Sequence, residues 1–304
     1  MRLVTFAVDS TARPGVLVGA GSAGVLDLST TLGVADMTDL LGSSDLMEEA
    51  RAAAGVPDPR HVRPVAEVRL EPPVRPATLL CIGYNYRGHG AAGAIEDPEY
   101  PDVFAKTPNV VVGPQDDVVL PAVSAHVDYE AELAVVIGRT ARAVSPEAAL
   151  DHVAGYTMFD DVSARDWQGR GSQWVLGKSF DSFGPLGPTI VTPDEVPDVQ
   201  DLDVELRLNG EVTVRSSTSR MVFPIAFLVS YLSQVVTLRP GDLIATGTPQ
   251  KLPEALETQR PLRAGDEVQI TIGPLGTLTH RFVAPHADRA DAPTHHDERR
   301  GTRA

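Results

Sequence analysis

A single cysteine, Cys81, stands in 304 residues, so no internal disulfide framework exists and a reducing compartment suits the chain. Positive charge is also scarce. Only 26 lysines and arginines face 41 aspartates and glutamates, and no segment gathers the basic residues into a stripe. The net charge of -15 therefore argues against a general nucleic-acid or anionic-membrane partner. It leaves a small anionic substrate open, because a bound cation reverses the local field. Long apolar runs are missing too. The most apolar stretch, Phe223 to Val236, contains Pro224, Ser230 and Gln234 and is too short to span a bilayer. The first fifteen residues alternate like a strand and lack a secretory core, which completes the expectation of a cytoplasmic protein.

What is present suits a soluble globular fold, with 42% apolar and 22% charged residues. Residues 1–70 read as a small separate unit with strand-like pieces at Leu3–Val8, Val16–Gly19 and Gly24–Leu28. Two short helical patterns follow. The second runs from Asp45 to Ala54, with Asp45 and Glu48 at capping-box spacing and Gly55 at its stop. This unit shows no clustered chemistry, so a scaffold or dimer contact is expected of it. Three prolines in Glu71–Pro76 mark residues 71–76 as a linker.

From Leu79 the pattern becomes β-rich, and residues 77–284 read as a second domain of α+β class. Candidate strands are Leu79–Gly83, Asn109–Val112, Glu130–Ile137, Ala154–Phe159, Thr189–Val191 and Val204–Leu208. Others follow at Val212–Arg215, Asp242–Ala245, Glu267–Ile272 and Thr277–Phe282. Asn209-Gly210 between alternating runs signals a type I′ hairpin. One helix is expected where Ile225, Leu228, Val229, Leu232, Val235 and Val236 recur at helical spacing, as core packing. The string Leu-Arg-x-Gly-Asp occurs at Leu238–Asp242 and Leu262–Asp266, each time before a strand, and reads as two similar turns. Residues 285–304 are polar and aperiodic, hence expected to be disordered, and their His295-His296 pair is read as solvated.

The chemistry gathers in DYEAELAVVIG. A strand there points Glu130 and Glu132 to one face, and two aligned carboxylates are costly to bury unless something neutralises them. Asp161 ends the apolar segment GYTMF, where a polar cluster begins abruptly. Three carboxylates without a histidine or cysteine partner form an oxygen-only set. Such a set suits Mg²⁺, Mn²⁺ or Ca²⁺ better than Zn²⁺.

The ordered motifs GYNYRGH (83–89), FAK (104–106), DYEAEL (128–133), GYTMFDDVSARDWQ (155–168), GKSFDSFGPLGP (177–188) and GDLIATGTP (241–249) resemble the fumarylacetoacetate hydrolase family. The resemblance covers Leu79 to Val283, about two-thirds of the chain, and residues 1–70 resemble the small β-rich domain often found ahead of that fold. It implies a mixed β-roll or barrel, a homodimer, and Mg²⁺ or Mn²⁺ held by Glu130, Glu132 and Asp161. It also implies a 2-oxo or 2,4-dioxo acid as substrate. Lys178 matches the family lysine, a fixed positive charge beside the developing enolate. Arg165 and Gln168 fall at substrate-side positions, with Arg165 either pairing with the substrate carboxylate or bracing the metal ligands. Thr248 offers a hydroxyl or backbone N–H, or serves only as a turn residue. Tyr84, Asn85, Tyr86 and Lys106 are expected as wall or framework, and Asp160 as a structural hydrogen-bonding group.

His89 matches the family's lid histidine, which in hydrolytic relatives pairs with a glutamate three residues on to activate water. Here that position is Ala92, and the next acid after His89 is Glu96. The first expectation is a metal-dependent hydrolase cleaving a C–C bond in a 2,4-dioxo acid. The alternative is a decarboxylase or isomerase of a related oxo or hydroxydienoic acid, which loses less when the dyad acid is missing. A third is an inactive homologue that keeps the metal site.

Overall fold

The computed structural model describes residues 1–88 and 97–285. Alternation near the start produces β1 (Arg2–Val8), β2 (Thr11–Val18) and β3 (Gly24–Asp27), with helix α1 (Ser44–Gly55) packed against β2. The cap of α1 is Ser43, not Asp45. Its Oγ accepts from the N–H of Leu46 at 3.2 Å, while Asp45 already lies in the first turn, where its charge meets the helix dipole. β4 (Val62–Pro64) follows.

The site-bearing strands come next: β5 (Leu79–Gly83), β6 (Asp102–Lys106), β7 (Ala131–Ile137), β8 (Val153–Asp160) and, after short helices α2 (Arg165–Gln168) and α3 (Val175–Lys178), β9 (Gly184–Val191). β10 (Asp203–Leu208) and β11 (Glu211–Ser217) form the expected hairpin, with Asn209 at φ 52° and Gly210 at φ 84°. Both turn residues are left-handed, as type I′ requires. Gly210→Ala should therefore cost about 1 kcal/mol in a urea unfolding measurement; an unchanged midpoint would show that the turn does not depend on glycine there. Helix α4 (Ile225–Val235), β12 (Leu243–Ala245), β13 (Glu267–Ile272) and β14 (Gly276–Val283) complete the described chain.

Ten of these strands lie in the order β4-β3-β2-β1-β9-β8-β7-β12-β5-β6, and two short strands pairing β1 and β9 make a sheet of twelve. A five-stranded sheet holds β11-β10-β13-β14 and the short strand Val118–Val119. Both sheets are mixed, since β12 runs parallel to β5 and Val118–Val119 parallel to β14. The strand order is an open path, so the β-rich α+β expectation holds without a closed barrel. Residues 1–70 share the large sheet, because β1 pairs with β9 through Arg2–Val191 and Leu3–Ile190. The proline-rich segment after them is pinned, with Val74 buried and Pro73 accepting from the Thr5 hydroxyl at 2.8 Å.

Several strand boundaries differ from expectation. β6 was not foreseen as a strand, since it is an edge strand whose residues are largely exposed and do not alternate in hydropathy. Of Asn109–Val112 only Val111–Val112 is strand, because Pro108–Val110 forms a 3₁₀ turn. The apolar stripe of α4 ends at Leu232, as Val235 at the helix end is 77% exposed. The two Leu-Arg-x-Gly-Asp turns are alike: Asp242 and Asp266 each accept from the arginine N–H three residues earlier at 2.7 Å. Among the described residues no helix is long and apolar enough to cross a membrane. His89, Ala92, Glu96 and the His295-His296 pair lie outside the described residues.

Candidate metal centre

Register decides which carboxylates meet. β7 and β8 run antiparallel, with Ala131 opposite Asp160 and Glu132 opposite Phe159. One step further, the Asp161 N–H donates to the Glu130 carbonyl at 3.0 Å, so those two residues face each other. Alternation puts Glu130 and Glu132 on one face, and cross-strand neighbours share a face, which adds Asp161. One oxygen from each lies within 4.8 Å of the other two. Asp160 points to the opposite face, as alternation requires. Its Oδ1 accepts from the Glu130 N–H at 2.7 Å, and its Oδ2 meets Nε2 of buried His280 on β14 at 2.8 Å. This pair ties the two sheets together behind the carboxylates.

Three cations surround the triad. Lys178 Nζ lies 2.7 Å from both Glu130 Oε2 and Asp161 Oδ2. Arg165 Nη2 lies 2.6 Å from Glu130 Oε1, and Lys106 donates to Asp161 Oδ1. Burial would raise the Glu130 carboxyl, but Arg165 and Lys178 outweigh it and hold the group well below the usual carboxylate range. Burial would likewise lower the Lys178 ammonium, yet Asp161 and Glu130 hold it above its ordinary value. Glu132 goes the other way. Burial, then Asp161 and Glu130, push its carboxyl well up, and its described hydrogen-bond partner is only the Gly247 N–H at 2.9 Å.

A buried carboxylate set with one member lacking a cation suits a hard divalent ion. Glu130, Glu132 and Asp161 supply oxygen only, so the residues present fit Mg²⁺ or Mn²⁺.

The cavity beside the triad is lined by Gln168, Lys178 and Thr248, with Tyr84, Phe104 and Trp174 as an aromatic wall. Trp174 meets Tyr84 and Phe104 edge-on, with centroids 5.7 and 5.2 Å away. Helix α3 brings Lys178 in by packing closely on α2. A Cβ on Gly177 would fall 2.4 Å from the Gln168 nitrogen, which explains the glycine before the lysine. Arg165 is held by several acceptors. Besides Glu130 it holds Asp128 Oδ2 through Nε and Nη2 at 3.2 and 3.0 Å, and Gln168 Oε1 at 3.1 Å. Asn85 serves as framework, bonding to the backbone of Phe223 and Thr246. Buried Tyr86 pairs with Met221 in an isolated bridge.

Three residues at the site were not singled out for it. Lys106, expected as framework, contacts a triad member directly. Asp128 accepts from Arg165 and from Lys251, and its place two residues before Glu130 in the same alternation was a readable signal. Lys251 carried none, since its partner lies 123 positions away.

The family model described as fumarylacetoacetate (FAA) hydrolase C-terminal matches residues 78–283. The mitochondrial oxaloacetate tautomerase FAHD2A of Bos taurus is 42% identical over 290 residues, covering 93% of this chain and 92% of that protein. The fumarylacetoacetate hydrolase of Exiguobacterium antarcticum superposes with a TM-score of 0.80 at 33% identity, over 93% of this chain and 99% of its own. A maleylpyruvate hydrolase of Sphingobium sp. SYK-6, solved with manganese(II) and pyruvate, gives 0.77 at 33% identity, over 94% and 100%. The expectation of a cytoplasmic protein is corrected here. The bovine relative is named as mitochondrial, and the absence of a secretory core from the first fifteen residues does not bear on that compartment.

Proposed function

The chain belongs to the fumarylacetoacetate hydrolase family, and from that premise we propose a metal-dependent tautomerase that interconverts the keto and enol forms of a small 2-oxo dicarboxylate such as oxaloacetate. The observation that carries this reading is the cavity wall. Its described members offer three carboxylates suited to a metal, one lysine, polar Gln168 and Thr248, and aromatic rings, with no further acid to activate water. Ala92 in place of the dyad glutamate points the same way, because tautomerisation moves a proton and needs no attacking water. A relative 42% identical bears the name oxaloacetate tautomerase.

Glu130, Glu132 and Asp161 would hold Mg²⁺ or Mn²⁺. The bound ion would polarise the 2-oxo group and stabilise enolate charge. Lys178, on the same cavity wall, supplies the positive charge for the anionic substrate. Arg165, locked by Asp128, keeps Glu130 oriented, so its role is bracing. Gln168 and Thr248 are assigned to the substrate carboxylates, and Trp174 with Phe104 and Tyr84 restricts water. His89 is assigned the proton at the adjacent carbon on sequence grounds. The second reading is hydrolysis of a 2,4-dioxo acid, favoured by the likeness to a maleylpyruvate hydrolase holding manganese and pyruvate.

Adding the purified chain with Mg²⁺ or Mn²⁺ to freshly dissolved enol oxaloacetate should speed the decay of its ultraviolet absorbance, with NMR showing keto oxaloacetate. Pyruvate with CO₂ as the initial product would replace this reading with decarboxylation. Two carboxylic fragments from an acylpyruvate, without tautomerase activity, would establish the hydrolase instead. Tight metal binding without turnover of any of these would mark an inactive homologue.

A further inference from the structure

Lys178 occupies the place between two of the carboxylates that a divalent ion would draw together. Its ammonium bridges Glu130 Oε2 and Asp161 Oδ2 at 2.7 Å each. The other two cations are fixed by further partners. Arg165 is gripped by Asp128, and Lys106 donates to the Val162 and Phe183 carbonyls at 3.1 and 2.7 Å as well as to Asp161. The described hydrogen-bond acceptors of Lys178 are the two triad carboxylates alone. It stands on the last residue of the one-turn helix α3, lines the cavity, and has the Phe104 ring 5.0 Å from Nζ. Of the three cations, Lys178 alone has both a site to vacate and a cavity to move into.

Resting on the reading of the triad as a divalent-cation site, we propose that Lys178 is a tethered counter-ion that exchanges partners: it releases Glu130 and Asp161 to the metal and transfers its ammonium to the anionic 2-oxo acid. A divalent ion adds positive charge where Lys178 already neutralises two acids, so the two compete for the same oxygens. A displaced ammonium in a buried cavity is unfavourable until an anion meets it. Part of the coupling between metal and oxo acid therefore runs through Lys178, and each ligand tightens the other by the same factor.

The test is Mn²⁺ binding to the EDTA-stripped full chain, by electron paramagnetic resonance of free Mn²⁺. It is run with and without oxalate as a substrate-like dianion and corrected for Mn²⁺–oxalate complexes in buffer. Oxalate should tighten Mn²⁺ on the order of tenfold. Lys178→Met should bind Mn²⁺ alone on the order of tenfold more tightly than the unmodified chain, with a smaller oxalate effect. Oxalate can contact the ion directly in both proteins, so the diagnostic quantity is the difference between them. Lys178→Arg, which keeps the charge, should stay near the unmodified affinity and should be read beside Lys178→Gln if the methionine variant does not fold. Folded Met or Gln variants that bind Mn²⁺ no more tightly overturn the exchange while leaving the metal site standing. No Mn²⁺ binding by any of the proteins, with or without oxalate, overturns the metal reading and the exchange with it.

Discussion

Glu132→Gln should lower metal-dependent turnover on the order of a thousandfold, because a Lewis-acid contribution of several kcal/mol is lost and each 1.36 kcal/mol is tenfold in rate. The same change should leave the metal-free chain as stable as before, or more so, at neutral pH. Glutamine keeps an oxygen for the Gly247 N–H but removes a buried carboxyl to which no described cation is bonded. Burial, with Asp161 and Glu130, raises that carboxyl above 4.5 in the folded chain. An acid so raised binds its proton more tightly folded than unfolded. Its penalty on folding is absent below the unfolded value near 4.5, grows as pH rises past it, and stops growing above the folded value. Urea unfolding in EDTA from pH 5 to 8 should therefore show a decline in the unmodified chain that is weaker in the variant. Turnover near the unmodified level would remove Glu132 from the site. A large loss of stability would mean that the activity change reports unfolding.

The contrast between Glu132 and its neighbours marks where sequence reasoning stops. That Glu130 and Glu132 share a face followed from alternation, and Asp161 was visible as a sudden acid at the end of an apolar run. The turn residues Asn209 and Gly210, the core stripe of α4 up to Leu232 and the turning of Asp160 to the face opposite Asp161 were legible for the same reason: each follows from the pattern of immediate sequence neighbours. What lay beyond reading was set by pairings far apart in the chain. Lys106 reaches Asp161 across 55 positions, Lys251 reaches Asp128 across 123, and His280 reaches Asp160 across 120. No local periodicity encodes such contacts. β6, which ends in Lys106, gave no alternation because it is an edge strand. The motif containing Arg165 located it near the site, but its contacts with Asp128 and Glu130 emerge only in the fold.

Lys106 shows how much of the carboxylate triad depends on such a distant contact. Lys106→Met should lower the stability of the metal-free chain by about 3–5 kcal/mol, the usual consequence of removing one partner from a buried ion pair. Methionine can fill the volume of the lysine stem, so packing is largely kept and the loss is electrostatic. Lys106 and Asp161 are both fully buried, and the lysine's donors satisfy Asp161 Oδ1 and the carbonyls of Val162 and Phe183. Without them three buried acceptors lose their donor, and Lys178, shared with Glu130, reaches only the other oxygen of Asp161. Two further measurements separate this cause from a cavity or a misfold. Asp161→Asn added to Lys106→Met should recover part of the loss, since no unpaired charge remains, in a double-mutant cycle read by urea unfolding. Mn²⁺ at a hundredfold excess over its dissociation constant should return about 2.7 kcal/mol to the single variant and nothing to the double, which lacks a ligand. A loss below about 1 kcal/mol, the range of surface pairs, would show that Lys106 is not needed to neutralise Asp161. Equal stabilisation of both variants by Mn²⁺ would place the ion away from Asp161.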